Sequence, residues 1–368
     1  MKIIAFYLPQ FHTFPENDRW WGKGFTEWEN LKKATPLYQG HNQPREPLND
    51  NYYDLSNIET LRWQAQLAKE YGIYGFCYYH YWFDGHMLME KPMENMLKDK
   101  SVDLPFCICW ANENWTKAWA KKSREVLISQ TYGDKKDWEN HFYYFLQFFK
   151  DNRYIMVNNK PLLVIYRPEL IPTLKEMLEV WQKLALENGL DGITFAYQQT
   201  TYDHTKAETG YLFDYGIEYE PNMVKNIEQC KTLPVIVRKS LNIIFSKLNL
   251  PTKKIASIRY SYDDAWKRIL NHVPKDQKMI PGAFVDWDNT PRYGRGASIY
   301  EGVTPEKFEK YLSQQIKHTR KIYKKDMIFL FAWNEWGEGG YLEPDKKYGY
   351  GMLNAVKRAL LSTNEFPK

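Results

Sequence analysis

The feature that most constrains the fold is a set of eight apolar runs of strand length, spread along the 368 residues. Each run is nearly continuous rather than alternating, which is typical of parallel strands that are covered on both faces. The predicted strands are residues 3–8, 74–79, 106–111, 162–166, 193–197, 215–219, 283–287 and 328–333.

Helical segments fall between several of these runs. Ser56 and Glu59 have the spacing of a capping box, Pro172 is expected to open a second helix, and Thr304 precedes a third. Eight strands that alternate with helices favour an α/β fold of the (β/α)8 TIM barrel type over an open sheet. We expect one domain over residues 1–368, with long loops at the C-terminal face of the barrel.

A basic segment interrupts this pattern at about residues 221–280, which contain 12 Lys and Arg against 4 Asp and Glu. We interpret it as an insertion made of an ordinary outer helix and a solvated loop. Contact of residues 234–254 with an anionic membrane surface or polymer is the less favoured alternative. The formal net charge of the whole chain is only +5, which does not indicate a nucleic-acid partner.

The cysteines and the apolar windows narrow the class of protein further. Cys77, Cys107, Cys109 and Cys230 form no CxxC pair, so buried reduced thiols are favoured over a zinc site. No window reaches the length of a membrane span, and the apolar part of the N-terminus is too short for a signal peptide. We therefore expect a cytoplasmic protein, or an exported one whose signal has been removed.

Active sites of such barrels lie at the C-terminal ends of the strands, so the residues after each apolar run are the candidates for function. Carboxyl, amide and aromatic side chains gather there, which indicates sugar binding, although aromatic core packing explains the same composition. The candidate substrate contacts are His12, His80, Tyr81, Trp82, Asn112, Glu113, Trp115, Tyr166, Glu218, Asp286, Asn334 and Trp336. A metal site at His12, His80 and Asp84 is less favoured, because a compact ligand set is missing.

The stretch FAWNEWGEGG, residues 331–340, places Glu335 and Glu338 three residues apart after a predicted core strand. Two neighbouring carboxyl groups do not titrate alike, and walls formed by Trp333 and Trp336 would raise one pKa further by desolvation. One protonated and one ionised carboxyl group can cleave a glycosidic bond. The alternative is a solvated loop whose glutamates pair with lysines 346 and 347.

Four segments carry a family resemblance: IAFYLPQFHTFPENDRWWGKGFTEW, GFCYYHYWFDG, CWANENWT and WNEWGEGGYLEPD. Together they resemble the WbsX-type family, which groups with glycoside hydrolase family 99, the endo-acting α-mannosidases and α-mannanases. The similarity runs from residue 3 to about 355 and weakens at 221–280.

The resemblance implies a (β/α)8 barrel that hydrolyses α-linked sugars with net retention, without a metal or other cofactor. It implies a 1,2-anhydro sugar intermediate, with Glu335 as the base on the 2-hydroxyl group and Glu338 as the acid/base. Tyr7 resembles the tyrosine that lines the subsite at the cleaved bond. The expected partner is an oligo- or polysaccharide, with mannose-like sugars.

Two other functions stay open. A glycosyltransferase of bacterial surface polysaccharide assembly would suit the family's usual label and the Asp286-Trp287-Asp288 triplet, but no phosphate-binding glycine loop accompanies the triplet. A carbohydrate-binding protein without catalytic activity is the third candidate. The paired glutamates favour the hydrolase.

Overall fold

The structure, a computed structural model, describes residues 1–117, 125–200, 210–229 and 257–367. Eight parallel strands surround a central axis, and each pairs with the next strand along the chain until the eighth pairs with the first. They are β1 (Lys2–Tyr7), β2 (Gly75–Phe83), β3 (Phe106–Trp110), β4 (Lys160–Ile165), β5 (Thr194–Gln199), β6 (Tyr215–Glu218), β7 (Met279–Ile280 and Gly282–Phe284) and β8 (Met327–Phe331). This arrangement confirms the predicted (β/α)8 barrel.

Strand β7 closes the barrel in two parts. Met279–Ile280 pairs with β6 and Gly282–Phe284 pairs with β8, on either side of Pro281. A Cβ atom at position 282 would lie 1.8 Å from the carbonyl oxygen of Glu218, so only glycine allows this close approach to β6. The predicted strand 283–287 begins after the observed start at Met279 and ends beyond the observed end at Phe284. The late end arises because the apolar run continues past the last paired residue.

Helices surround the barrel and fill its upper loops. In the described part of the chain they are α1 (Pro15–Trp21), α2 (Glu27–Lys32), α3 (Ile58–Glu70), α4 (Lys91–Lys98), α5 (Lys135–Phe149), α6 (Leu174–Glu187), α7 (Asn222–Gln229), α8 (Tyr262–Asn271), α9 (Thr290–Tyr293), α10 (Pro305–His318) and α11 (Gly351–Ser362). Single turns of 3-10 helix cover Leu48–Asp50, Pro168–Leu170, Gly294–Gly296 and Trp336–Glu338, and a π-helical turn covers Thr319–Tyr323.

Short strands connect the loops outside the barrel. Ile258–Ser261 pairs with Ser298–Glu301, Trp115–Thr116 with Val126–Ile128, and Asn334–Glu335 with Gly340–Tyr341. His86–Leu88 and Met156–Val157 extend β2 and β4 as antiparallel hairpins.

The helix starts differ from the sequence prediction at one cap. The N-cap of α3 is Asn57, whose side chain accepts a hydrogen bond from the Glu59 amide, so the predicted capping box at Ser56 is wrong. The N-cap of α10 is Thr304, as expected, and α6 begins two residues after Pro172.

Side chains of β2 alternate between the barrel interior and the surrounding helices, as the period of a strand requires. Tyr79 points inward, where its ring stacks on Phe6 and its hydroxyl group lies 3.3 Å from that of Tyr219. Tyr78 points outward and contacts Tyr7. This alternation decides which residues at the end of the strand can reach the barrel mouth.

Three cysteines, Cys77, Cys107 and Cys109, are buried and free, while Cys230 and the basic segment 234–254 lie outside the described residues. Within residues 1–117, 125–200, 210–229 and 257–367, no group of three or more His, Cys, Asp and Glu side chains could hold a metal ion. In the same ranges, none of the helices has the length and apolar character needed to cross a membrane.

Candidate active site

Glu335 and Glu338 lie at the carboxyl end of β8, on a short hairpin. The strand Asn334–Glu335 pairs with Gly340–Tyr341, and one 3-10 turn lies between them. Glycine is required at two positions of this hairpin because neighbouring atoms leave no room for a side chain. A Cβ atom at Gly340 would lie 2.3 Å from the Phe331 ring, and one at Gly337 would lie 2.2 Å from Glu27 Oε1. The hairpin is therefore pressed against the barrel mouth.

One guanidinium group binds both glutamates of the hairpin and a third carboxyl group. Arg292, on α9 after β7, places Nη2 3.2 Å from Glu335 Oε2 and Nη1 2.9 Å from Glu338 Oε1. Its Nε donates to Glu27 Oε1 at 2.9 Å, from α2 in the long loop after β1. Side chains from two other loops thus meet at this arginine, and the two hairpin glutamates lie on its two terminal nitrogens.

The two hairpin glutamates have unlike environments. The Glu335 side chain is 7% exposed and that of Glu338 is 17% exposed. Burial raises the pKa of Glu335 to about 8; the charge of Arg292 opposes this shift, and the charges of Glu338 and Glu27 add to it. The buried Glu335 carboxyl group therefore holds a proton more strongly than an ordinary glutamate does.

Aromatic and basic side chains surround the carboxyl groups at the mouth. Burial raises the pKa of Tyr81 and of Tyr219, and the charge of Glu335 adds to both shifts, so both phenols lie within its electrostatic reach. Tyr166 packs edge-on against Tyr219 with 6.2 Å between ring centroids, and Trp115 packs edge-on against Tyr81 at 5.2 Å. These rings form an aromatic wall beside the glutamates.

Lys225, on α7 after β6, adds a positive charge near Glu338. Its ammonium group lies 4.9 Å from the centre of the Trp287 ring. Burial lowers the pKa of Lys225, and the charge of Glu338 opposes that shift. The predicted site residues that the structure brings together at the mouth are Tyr81, Trp115, Tyr166, Glu335 and Glu338.

His80 and Trp82 point away from the mouth, which corrects their expected placement. His80 Nε2 lies 3.0 Å from His141 Nε2 on α5, and Trp82 Nε1 donates to Asp137 Oδ1 at 3.0 Å. Both flank Tyr81 on β2, and because side chains alternate along a strand, the inward direction of Tyr81 turns its neighbours outward. They anchor α5 to the barrel.

Tyr7 also faces the outer layer rather than the Glu335–Glu338 pair. Its hydroxyl group donates to Gln64 Oε1 on α3 at 2.7 Å, and its ring packs on Phe76 and Tyr78. The inward neighbour on the same strand is Phe6. The expectation that Tyr7 lines the subsite at the cleaved bond is therefore corrected by the alternation of β1.

The tryptophans of the hairpin motif do not wall the pair either. Trp336 stacks on Tyr341 with 3.7 Å between ring centroids, and its Nε1 donates to Glu343 Oε2 at 2.6 Å. Trp333 is fully buried against Phe76. The desolvation that raises the Glu335 pKa thus has its source in other groups around the mouth.

Two asparagines after the strands join neighbouring strands. Asn334 donates to the Leu8 carbonyl oxygen at 2.9 Å and accepts from the Leu8 amide at 2.8 Å. Asn112 makes the same pair of bonds with the backbone of Arg167, both at 2.8 Å. Both amide groups are fully buried, so they act as clamps across two seams of the barrel rather than as the expected substrate contacts.

The remaining predicted carboxyl groups have protein partners. Glu218 accepts from Tyr323 at 2.6 Å and lies 3.1 Å from His272 Nε2, on the outer side of β6. Asp286 binds Arg45 at 2.8 Å, and Asp288 binds both His41 and Arg45. The triplet at 286–288 is therefore occupied by side chains of the long loop after β1.

His12 and Glu113 each contact other side chains of the protein. His12 is buried beside Phe14, and burial lowers its pKa. Glu113 forms an ion pair with Arg167, with two fifths of its side chain exposed.

Sequence reasoning missed Glu27, Arg292, Lys225 and Tyr219. Arg292 lies four residues beyond Asp288, the last candidate after the seventh predicted strand, and Tyr219 is the last residue of the sixth predicted strand. Glu27 lies within the first family segment, but its side chain would ordinarily be exposed at the start of a helix. A search for arginines in the loop after the seventh strand would have found the shared cation.

The fold and this mouth define a class: a (β/α)8 protein with paired glutamates at the end of β8, held by one arginine. The family model described as "Glycosyltransferase WbsX" matches residues 3–356. The chain therefore belongs to the WbsX family.

Curated relatives match almost the whole of this chain. Two proteins described as "Uncharacterized protein WxcX", from two strains of Xanthomonas campestris pv. campestris, are 37% identical over 362 residues. These matches cover 97% of this chain and 49% of each relative, so the chain spans about half the length of those curated relatives.

Solved structures share the fold at much lower identity. The GH99 endo-alpha-mannosidase from Bacteroides thetaiotaomicron matches with a TM-score of 0.57 and 13% identity, over 98% of this chain and 97% of that one. A structure described as "Glycoside hydrolase-like protein" matches with a TM-score of 0.56 and 12% identity, over 100% of this chain and 94% of that one. These matches establish a common barrel.

Proposed function

We propose that the protein is a retaining glycoside hydrolase that cleaves α-linked, mannose-like glycans or polysaccharides. The observation that carries the proposal is the pair Glu335 and Glu338 on the two terminal nitrogens of Arg292, with unlike burial, beside an aromatic wall. Paired carboxyl groups in unlike environments are the equipment of glycosidic bond cleavage. The fold shared with an endo-alpha-mannosidase supports mannose-like sugars as the first substrates to test.

In the first step of the proposed reaction, Glu335 acts in its ionised form and Glu338 in its protonated form, and Glu335 accepts the proton of the substrate's 2-hydroxyl group. The 2-oxygen then attacks the anomeric carbon and the bond to the leaving oxygen breaks, while Glu338 donates a proton to that oxygen. The product of this step is a 1,2-anhydro sugar, and inversion occurs at the anomeric carbon.

In the second step, Glu338 accepts a proton from water, whose oxygen attacks the anomeric carbon. The three-membered ring opens, and the 2-oxygen takes its proton back from Glu335. A second inversion gives net retention. A base with a pKa near 8 suits this chemistry, because it holds an alcohol's proton more strongly than an ordinary carboxylate does.

The aromatic wall supports the same substrate class. Tyr81, Trp115 and Tyr166 are partly exposed and offer ring surfaces for the C–H faces of a pyranose, and their polar atoms can bond its hydroxyl groups. Lys225 adds a donor on the side of Glu338.

The first test is digestion of a panel of α-linked manno-oligosaccharides by the wild type and by Glu335→Gln and Glu338→Gln. We expect each substitution to lower hydrolysis by about 10²-fold or more, because each removes a proton-transfer group. NMR of the wild-type reaction should show the α-anomer as the first product. Glu176→Gln, an exposed position on outer helix α6, is the matched control and should keep most activity.

Unchanged turnover in both Glu335→Gln and Glu338→Gln would reject the hydrolase. Metal-dependent consumption of a nucleotide sugar would instead support a glycosyltransferase, the function in the family description. The partners of Asp286 and Asp288 speak against a metal triplet there, since Arg45 and His41 already bind these carboxylates. Glycan binding without turnover would leave a carbohydrate-binding protein.

A further inference from the structure

A cavity of about 380 Å³ lies outside the Glu335–Glu338 mouth. Its walls come from the loop after β1, from α3, from the segment after β8, and from the start of α11. Loops that follow strands lie at the C-terminal end of a (β/α)8 barrel, so the cavity opens at the same end as the mouth but on its outer side. Glu335, Glu338 and Arg292 are not among its lining residues.

The cavity walls combine aromatic rings with small polar side chains. Trp63 and Tyr350 contribute rings, and the Tyr350 side chain is 40% exposed. Asn49, Asp50 and Asn51 contribute amide and carboxyl groups from one exposed turn. This mixture fits a neutral sugar ring, because rings stack on its C–H face and amides bond its hydroxyl groups.

Two other ligand classes fit poorly. The lining residues include the carboxyl groups of Asp50 and Glu343 but no lysine or arginine, so an anionic group would find no cationic partner among them. The polar turn at residues 49–51 provides too little apolar surface for a lipid or an apolar helix. The volume lies near the lower end of small-ligand sites, which suits one or two sugar units.

Hydrogen bonds join Glu343, in the lining of the cavity, to Trp336 of the hairpin that carries the two glutamates. Glu343 Oε2 accepts from Tyr53 at 2.7 Å and from Trp336 at 2.6 Å, and its Oε1 accepts from Gln64 at 2.7 Å. Trp336 lines the cavity and also lies in the chain between Glu335 and Glu338. A ligand in the cavity would therefore contact the segment that carries both glutamates.

We propose that this cavity is an accessory binding site for neutral hexose units of the glycan, separate from the cleavage site. The choice of a glycan as ligand rests on the proposed function. The site would hold a part of a long chain, or a neighbouring branch, beyond the units at the cleaved bond. A bound sugar would change the surroundings of the Trp336 side chain, which lines the cavity.

The binding test uses the full chain carrying both Glu335→Gln and Glu338→Gln, labelled with 5-fluorotryptophan. The probes are methyl α-D-mannopyranoside and an α-linked mannotriose. We expect saturable shifts of the Trp63 and Trp336 fluorine resonances, assigned by Trp63→Phe and Trp336→Phe. In the same background, Asn51→Ala should weaken sugar binding by about 3- to 10-fold, measured from both resonances. Trp63→Ala should weaken binding by a similar factor, measured from the Trp336 resonance alone.

Tyr143→Ala, an exposed aromatic on α5, is the matched control and should leave the shifts unchanged. With the active enzyme, Trp63→Ala should raise KM for a long glycan by a similar factor and leave KM for a short chromogenic substrate unchanged. The Asn51 side chain is exposed to solvent, so its removal should leave the fold intact. A loss of binding in Asn51→Ala is therefore assigned to the cavity.

The outcomes separate this inference from the proposed function. Hydrolysis of the glycan panel with unshifted Trp63 and Trp336 resonances would overturn the accessory site and leave the hydrolase standing. Saturable shifts without hydrolysis of any substrate would support the site and reject the hydrolase. Shifts that persist unchanged in Trp63→Ala and Asn51→Ala would place the sugar elsewhere and overturn the inference.

Discussion

Arg292 shares one positive charge among three carboxyl groups, two of which belong to the proposed reaction. Breaking a buried ion pair by removal of one partner usually costs about 3–5 kcal/mol, because it leaves an uncompensated charge. The arrangement also couples the protonation of Glu335 to Glu27, which makes no direct contact with the hairpin glutamates in the described hydrogen bonds. Glu27 therefore acts as a positioning residue for Arg292.

The first residue-scale prediction concerns the pH profile of Arg292→Gln. The charge of Arg292 lowers the pKa of Glu335, so its loss should raise that pKa further above 8. Glu335 must be ionised to accept a proton, so the acidic limb of kcat/KM should move to higher pH. The measurement is kcat/KM from pH 5 to pH 10, the range that spans the ordinary carboxyl pKa and the raised one.

Arg292→Lys is the control for this profile, because it keeps the charge while losing the fork that binds two carboxyl groups. It should move the limb less than Arg292→Gln. An acidic limb that stays in place in Arg292→Gln would show that Glu335 does not set it. Near-ultraviolet circular dichroism should confirm that both variants are folded.

At the scale of residues, the sequence predicted the carboxyl pair but not its partner. Glu335 and Glu338 share a short motif with a strand before it, which local pattern reveals. Arg292 and Glu27 come from loops 43 or more residues away in the chain, and only the closed barrel brings them together. Their roles depend on tertiary contacts that no local spacing encodes.

The strand is the element that explains most of the misplaced contacts. Each prediction took a run of residues after a strand as a group, but the strand directs alternate side chains to opposite faces. On β2 the ladder continues to Phe83, four residues beyond the predicted end, so His80 and Trp82 still follow its alternation. A prediction that kept the period of two would have retained Tyr81 alone.

The element-scale prediction concerns the asparagine clamps. Asn112→Ala removes two hydrogen bonds to the backbone of Arg167 and leaves the Arg167 amide without that partner, while the Arg167 carbonyl oxygen keeps its bond from the Leu170 amide. We expect the free energy of unfolding to fall by about 1–3 kcal/mol, with little change in KM. Urea unfolding and steady-state kinetics measure the two effects.

Asn334→Ala should lose similar stability and also lower kcat, because its clamp positions the residue before Glu335. Asn354→Ala is the control, since it lies on outer helix α11, where alanine is a good helix former. A large rise in KM for Asn112→Ala at unchanged stability would restore the original expectation of a substrate contact.

At the scale of the molecule, two buried histidines should make stability depend on pH. His80 and His141 lie between β2 and α5; burial lowers the pKa of His80 to about 3 and that of His141 below its ordinary value. The unfolded chain protonates both near pH 6.5, so it binds more protons than the folded chain below that pH. Stability should therefore fall as the pH drops from about 6.5 towards 3.

The measurement is urea unfolding of wild type and of His80→Phe/His141→Phe at pH 7.5 and 5.5. The wild type should lose more stability between these conditions than the double variant, by about 1.4 kcal/mol per histidine. Asp137 contacts the same cluster, and burial raises its pKa to about 6, which opposes the effect equally in both proteins. His86→Gln, at the surface, should behave like the wild type, and equal losses in all three would contradict the assignment.

The whole fold was more predictable than the site. Eight buried strands and their order follow from apolar runs and from the rules of parallel sheets. The split of β7 could not be predicted, because Met279–Ile280 is too short to stand out and Pro281 normally marks a boundary.

That split also restricts how the barrel can change. The seventh strand pairs with β6 up to Ile280 and with β8 from Gly282 onwards, so its partner changes across one residue, Pro281. Position 282 has no room for any side chain. Loops around the mouth can be exchanged for new specificities, but this joint admits no redesign. Attempts to graft other substrate preferences onto the scaffold should therefore leave the proline–glycine step untouched.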